Sequence, residues 1–224
     1  MKERLKENIK NLNQPSYKGK YIEMGAVDGH FQSNTNWLQS EYDWTGILIE
    51  PAPIQFEKLK TTRPNNFYFN CACVSFDYQD STADGDFDGR AMSSIGGLRT
   101  RRPATHTVQA RTLQSILDET NIGDIDFFSL DVEGYELEVL KGINFEKQKI
   151  HQVLIEVTEK DYSQRDSGLE IISSFMFSKN YSLAPVDYGA GLGCISAFTS
   201  EPNPKNETGQ VYNGHNDYLF NLNI

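Results

Sequence analysis

The stretch Tyr21-Ile-Glu-Met-Gly-Ala-Val-Asp-Gly29 decides the fold. Its first residues form a short apolar run that predicts a strand, and Gly25 and Gly29 let the backbone turn tightly and come close to a ligand. Ser33 to Tyr42 follows as a predicted helix, with Ser33 or Asn34 near its N-cap. Gly46-Ile-Leu-Ile-Glu50 is the next strand, stopped by Pro51. Strand, glycine turn, helix and strand, in that order, open a parallel sheet covered by helices.

The same rhythm extends in both directions. Lys2 to Leu12 sets Leu5, Ile9 and Leu12 on one face, so it predicts an amphipathic helix ended by Pro15 to Gly19. Pro53 to Thr61 predicts a helix with Ile54, Phe56 and Leu59 facing inward, and Asn66 to Val74 a third strand. From 77 to 103 the chain is polar and Gly-rich, and a structureless stretch of that length is a lid, a binding loop or disordered, with a substrate lid the expectation here. The sheet is expected to return at His106 to Arg111, with Thr112 capping a helix through Glu119. Ile125 to Leu130 is a strand, Glu133 to Lys141 a helix, Val153 to Val157 a strand and Leu169 to Ser178 a helix. The final strand candidates, Tyr181 to Val186, Gly193 to Thr199 and Tyr218 to Leu222, have no helix between them. They predict an antiparallel hairpin, with the Gly-rich Tyr188 to Gly193 as its turn. The expected architecture is a single α/β domain over 1–224, mostly parallel, Rossmann-like and antiparallel at its end.

Composition narrows the function. The chain has 224 residues and a net charge of −10, which disfavours general binding to phosphate backbones. No apolar run approaches the ~18 residues of a membrane span, and Met1 to Asn8 lacks the apolar core of a signal peptide. The three cysteines, Cys71, Cys73 and Cys194, are an odd count without zinc spacing, so they are expected as reduced core residues in a cytoplasmic protein.

The chemistry-bearing residues fall at strand ends. Glu50 ends its strand 21 residues after Gly29, where a carboxylate accepts both hydroxyls of a ribose. Glu23 and Asp28 flank the glycine turn. Two carboxylates there would repel a pyrophosphate but suit the sulfonium and ammonium of S-adenosylmethionine. The missing Gly-x-Gly-x-x-Gly likewise disfavours a nicotinamide dehydrogenase. Asp131 emerges at the carboxyl end of a buried strand, the place where open α/β sheets hold ligands. Glu133 and Glu136 follow it, as functional groups or as charges suited to a helix N-terminus. Glu156 ends the neighbouring strand. Asp131, then Glu133, then Glu156 are the candidates for catalytic base, and Asp131 with Glu156 for a Mg²⁺ site. His30 is either a residue facing the cleft or an exposed loop histidine, and Arg99, Arg101 and Arg102 either meet an anionic group on a substrate or belong to a solvated loop. His106, His151 and His215 show no metal spacing, and the sequon Asn206-Glu-Thr208 is expected to be silent.

These stretches, with Ser33-Asn-Thr35, Arg111-Thr-Leu113, Ile125 through Leu140 and Asn216-Asp-Tyr-Leu-Phe220, resemble the FkbM family of S-adenosylmethionine-dependent methyltransferases. The resemblance runs from about Lys20 to Phe220. It implies a seven-stranded sheet and methyl transfer to a hydroxyl of a sugar, glycan or small natural product. It also implies that Glu23, Gly25, Ala26, Asp28 and Gly29 line the methionine part of the cofactor, with Asn34 beside it. Glu50 would hold the ribose, with Pro51 next to it, and Asn70, Cys71 and Ala72 would border the adenine. Family members often carry lysine two residues before the aspartate matching Asp131; here that position is Ser129. The difference keeps a second reading open, a cofactor-binding protein of the same fold without catalysis.

Overall fold

The computed structural model describes residues 1–12, 14, 16–90, 93–97, 102–158, 168–186, 192–197 and 215–223. The elements in chain order are α1 (Lys2–Asn8), β1 (Lys20–Met24), α2 (Asn36–Tyr42), β2 (Thr45–Ile49), α3 (Pro53–Thr62), β3 (Phe67–Phe69), β4 (Cys71–Cys73), β5 (Thr82–Gly85) and β6 (His106–Arg111). They continue with α4 (Leu113–Thr120), β7 (Ile125–Leu130), α5 (Glu136–Leu140), β8 (Ile150–Thr158), α6 (Gly168–Ser178), β9 (Tyr181–Leu183), β10 (Cys194–Ala197) and β11 (His215–Leu222).

The main sheet runs β10-β11-β8-β7-β1-β2-β3, with β9 also paired to β11. Among the described residues it therefore holds eight strands where seven were expected. β1, β2, β3, β7 and β8 are parallel, while β11 runs antiparallel to β8, β9 and β10. The Rossmann-like parallel sheet and its antiparallel ending are thus as read from the sequence. Every residue of β7 is buried, which is why it reads as an almost unbroken apolar run. Its one acid, Asp126, is satisfied at the far edge by Tyr17 Oη (2.5 Å) and the Lys20 amide (2.8 Å). Leu5, Trp37, Leu38 and Leu59 of α1 to α3 cover one face of the sheet; Leu113, Ile116, Val139, Leu140, Ile172 and Met176 of α4 to α6 cover the other. The three cysteines are buried and unbridged.

Several boundaries differ from expectation for local reasons. α1 ends at Asn8; Ile9 takes an extended conformation, yet Ile9 and Leu12 still reach the core. α2 starts at Asn36, and Ser33 Oγ accepts from the Thr35 and Asn36 amides, so its hydroxyl caps the helix from outside. In α3, Leu59 is buried and Phe56 half-buried, but Ile54 is 57% exposed. Thr112 caps α4 as expected, accepting from the Ser115 amide. Glu133 does not open a helix. It and Gly134 have φ of 58° and 100°, so α5 begins only at Glu136.

The largest difference lies between 66 and 111. The expected third strand breaks at Asn70 into β3, in the main sheet, and β4, in a second sheet of order β4-β6-β5. β6 therefore joins this small sheet and not the main one. The 77–103 stretch is also not structureless. β5 pairs antiparallel with β6, Phe87 and Ser94 are buried, and Asp86 Oδ1 accepts from the Ser94 amide at 2.7 Å. Of the hairpin turn, residues 187–191 lie outside the described residues, as does the sequon at 206–208.

Candidate active site

Strand order reverses at β1, with β2 and β3 on one side and β7 and β8 on the other. In such a sheet the crevice opens beyond the carboxyl ends of the strands at that reversal. Gly25 and Asp131 sit at those two ends. The Asp131 amide donates to Met24 O (3.3 Å), and the Gly25 and Ala26 amides donate to Ile49 O (3.1 and 3.2 Å). The cleft there is lined by Gly25, Val27, Glu50, Pro51, Cys71, Ala72 and Asp131, with Phe87 and Ile95 closing it from the small sheet.

Glu50 is the best-defined group in it. The Val27 amide donates to one carboxylate oxygen and the Ala52 amide to the other, each at 2.8 Å. Burial nevertheless pushes its carboxyl up to about 7, because losing water disfavours the charge more than the two amides favour it. Val27 donates from φ 47°, a strained conformation for a β-branched residue of the kind that clusters at functional sites. Asn70 does not line the cleft. Its amide donates to the Glu50 and Pro51 carbonyls at 2.8 and 3.0 Å and so fixes the wall on which Glu50 stands.

The other residues expected at the methionine end stand elsewhere. Glu23 is buried behind the cleft, not in it. It accepts from Ser33 Oγ, the Asn34 amide and Thr35 Oγ1 at 2.7–2.8 Å, and pairs with Arg63 Nη1 at 3.2 Å. A carboxylate so occupied has its charge answered inside the protein. Asp28 accepts from the His30 and Phe31 amides (2.9 and 2.8 Å), which holds its carboxyl below the usual range and makes a local turn. Ala26 is buried in the core beneath. Gly29 is required by packing: a Cβ there would lie 2.5 Å from Arg63 Cγ and 2.8 Å from Leu59 Cδ1. His30 is exposed, bonded to Asn36 Nδ2 and outside the cleft. Arg102 is exposed and lines no cleft described here, while Arg99 and Arg101 lie outside the described residues.

A second cleft meets the first at Asp131 and Gln32. Asn34, Asn36, Trp37, Glu41, Glu156 and Asp217 are among its walls. Asn34 Nδ2 donates to Ser129 Oγ at 3.0 Å, so both residues are fixed beside the junction. Asp131, Glu133 and Glu156 converge here, each offering one carboxylate oxygen within 4.8 Å of the others. Asp131 is held well above the usual carboxylate range, first by burial, then by the charges of Glu156 and Glu133, by a hydrogen bond with Glu156, and by Asp217. Glu136 turns away, accepting from the Gly134 and Val132 amides (2.9 and 3.3 Å) below the cleft, where burial raises it too.

The sequence reading does not single out Arg63, Gln55 or Asp217. Inside the expected lid, Phe87 and Ile95 are the apolar residues that reach the cleft. Asp217 stands opposite Glu156 across the β11–β8 register, a relation that needs the pairing to be known.

No helix among the described residues is long and apolar enough to cross a membrane. No curated protein matches the chain. Among solved structures, an FkbM methyltransferase from Methylobacillus flagellatus shares 19% identity at a TM-score of 0.48, over 75% of this chain and 39% of that one. The LepI complex with S-adenosylmethionine shares 12% identity at a TM-score of 0.39, over 98% and 46%. A protein from Listeria monocytogenes described as an S-adenosylmethionine-dependent methyltransferase shares 8% identity at 0.44, over 99% of both chains. The chain thus spans less than half the length of the first two. The profile of the methyltransferase FkbM domain matches residues 23–183, so the chain belongs to the FkbM methyltransferase domain family.

Proposed function

We propose that the protein is an S-adenosylmethionine-dependent methyltransferase acting on a hydroxyl of a sugar, glycan or small natural product. The observation that carries this is the position of Asp131, which lines both clefts at their junction. The first cleft fits the cofactor. Gly25 gives close backbone approach, and Glu50, preset by two amides, keeps lone pairs for the ribose hydroxyls. Pro51, Cys71 and Ala72 wall the adenine end. Bound cofactor supplies the electrophilic sulfonium methyl. Asp131 accepts the acceptor's hydroxyl proton, and Glu156, hydrogen-bonded to it, shares that proton. A carboxyl raised above the ordinary carboxylate range is, once ionised, a stronger base than an ordinary one. Gln32, Asn34 and Asn36 offer the second cleft the amide groups that a polyhydroxylated acceptor bonds. Phe87 and Ile95 act as the cover of this cleft.

Calorimetry with S-adenosylhomocysteine and turnover of S-adenosylmethionine against a panel of polyols test the reading. Asp131→Asn is expected to keep cofactor binding and lower turnover by about 10²-fold or more. Binding without turnover across the panel supports the alternative, a cofactor-binding protein that has lost catalysis. A second reading, Mg²⁺ held by Asp131 and Glu156, is favoured by Glu133 joining them in one group of carboxylates. EDTA abolishes activity in that case and leaves it unchanged otherwise.

A further inference from the structure

We infer that Gln55 reads the exocyclic amine of an adenine ring and makes the first cleft selective for an adenine nucleoside among purines. The inference rests on the cofactor reading proposed above. Gln55 lies in the first turn of α3, which starts at Pro53, and it lines the same cleft as Glu50 and Pro51. Its side-chain nitrogen donates to the Gly89 carbonyl. A carbonyl only accepts, so this bond settles the orientation of the amide and makes Oε1 the remaining end. That oxygen is buried and meets no donor among the described residues. Buried acceptors in native proteins nearly always have a donor, so the one missing here points to a ligand N–H.

The surroundings specify which ligand. Pro51, Ala72, Cys73, Phe87 and Ile95 line the same cleft with apolar surface. An apolar stretch of wall with an unanswered acceptor at Gln55 complements a flat heteroaromatic ring that carries an N–H on its edge. Adenine presents an amine there. A purine with hydrogen at that carbon presents nothing, and an oxo group sets acceptor against acceptor. Through Gly89 the same side chain also ties the loop after β5 to α3.

The test is calorimetry with S-adenosylhomocysteine and its analogue in which hydrogen replaces the adenine amine. The wild-type protein is expected to bind S-adenosylhomocysteine about tenfold more tightly or better, as a buried acceptor left unanswered requires. Gln55→Met keeps the length of the side chain and removes the acceptor, and it is expected to bring the ratio near one. Its thermal unfolding, recorded alongside, establishes that the variant is folded. Equal wild-type affinity for the two ligands overturns the inference without any variant and leaves the cofactor reading standing. A ratio that survives in folded Gln55→Met overturns the role of Gln55. No binding of S-adenosylhomocysteine to the wild-type protein overturns the cofactor reading itself, and the inference with it.

Discussion

Gly25 and Asp131 face each other so closely that a Cβ on Gly25 would lie 2.0 Å from the Asp131 carbonyl oxygen. Gly25 also has φ of 80°, a conformation costly for any other residue. The absent side chain is therefore demanded by the junction of β1 and β7 before any ligand arrives. Gly25→Ala is expected to destabilise the fold by about 3 kcal/mol or more, measured by urea denaturation. Wild-type stability in that variant would show that the strand ends separate freely. A larger residue such as valine is for the same reason no clean probe of cofactor space.

Glu50 sets a pH dependence whose sign is fixed by its shift. Its carboxyl rises from 4.5 unfolded to about 7 folded, so the folded protein holds a proton that the unfolded chain releases in between. That contribution to stability is complete below 4.5 and is lost as pH rises to about 7, a change of up to roughly 3 kcal/mol. Ribose hydroxyls donate to the charged form, so S-adenosylhomocysteine affinity is expected to rise between pH 6 and 8 with release of a proton. Calorimetry in buffers of different ionisation enthalpy measures that proton, and Glu50→Gln should abolish the trend.

Glu156 raises Asp131 partly by its charge. Glu156→Gln is therefore expected to move the acidic limb of the kcat/KM profile to lower pH, because Asp131 then loses its proton more easily. An unmoved limb would remove Asp131 as the group whose ionisation controls the rate.

Arg63 is 1% exposed and donates to Gln39 Oε1 (2.6 Å), Glu23 Oε2 (3.2 Å), Gly29 O (3.1 Å), Ser33 Oγ (3.1 Å), Tyr21 Oη (2.8 Å) and Thr35 Oγ1 (3.0 Å). It ties the segment 29–35, which leads into both clefts, to β1 and α2. Arg63→Met leaves Glu23 charged and buried and is expected to cost about 3–5 kcal/mol. Adding Glu23→Gln should recover part of that loss in denaturation midpoints, since the orphaned charge is gone. Strict additivity would argue that the two do not form an energetic pair.

The sheet was legible because its strands carry period and composition: β7 and β2 read as apolar runs, and the helices between them show their inward faces. Glu50 and Asp131 were legible for a related reason, an acid at the end of an apolar strand needs a purpose. Glu23 fulfils the same pattern, yet it is answered by Arg63, forty residues away, and no local reading supplies such a partner. Asn70 was opaque because a strand that changes sheets looks in sequence like one that does not. Glu133 was misplaced because a left-handed φ at a non-glycine residue leaves no mark in a helical pattern.

The change of sheet at Asn70 has a consequence for cooperativity. Ala52, Ala72, Ala83, Phe87 and Val108 form a cluster of their own, and among the described strands β5 pairs with β6 and with no strand of the main sheet. The small sheet can therefore open as a sub-global unit while the β1–β7 centre stays closed. Amide hydrogens of β5 and β6 should then exchange at a lower free energy than those of β1 and β7. Because Phe87 and Ile95 hang from this unit, ligand in the cleft should slow that exchange and leave the centre unchanged, so the protein carries its own occupancy reporter in its backbone.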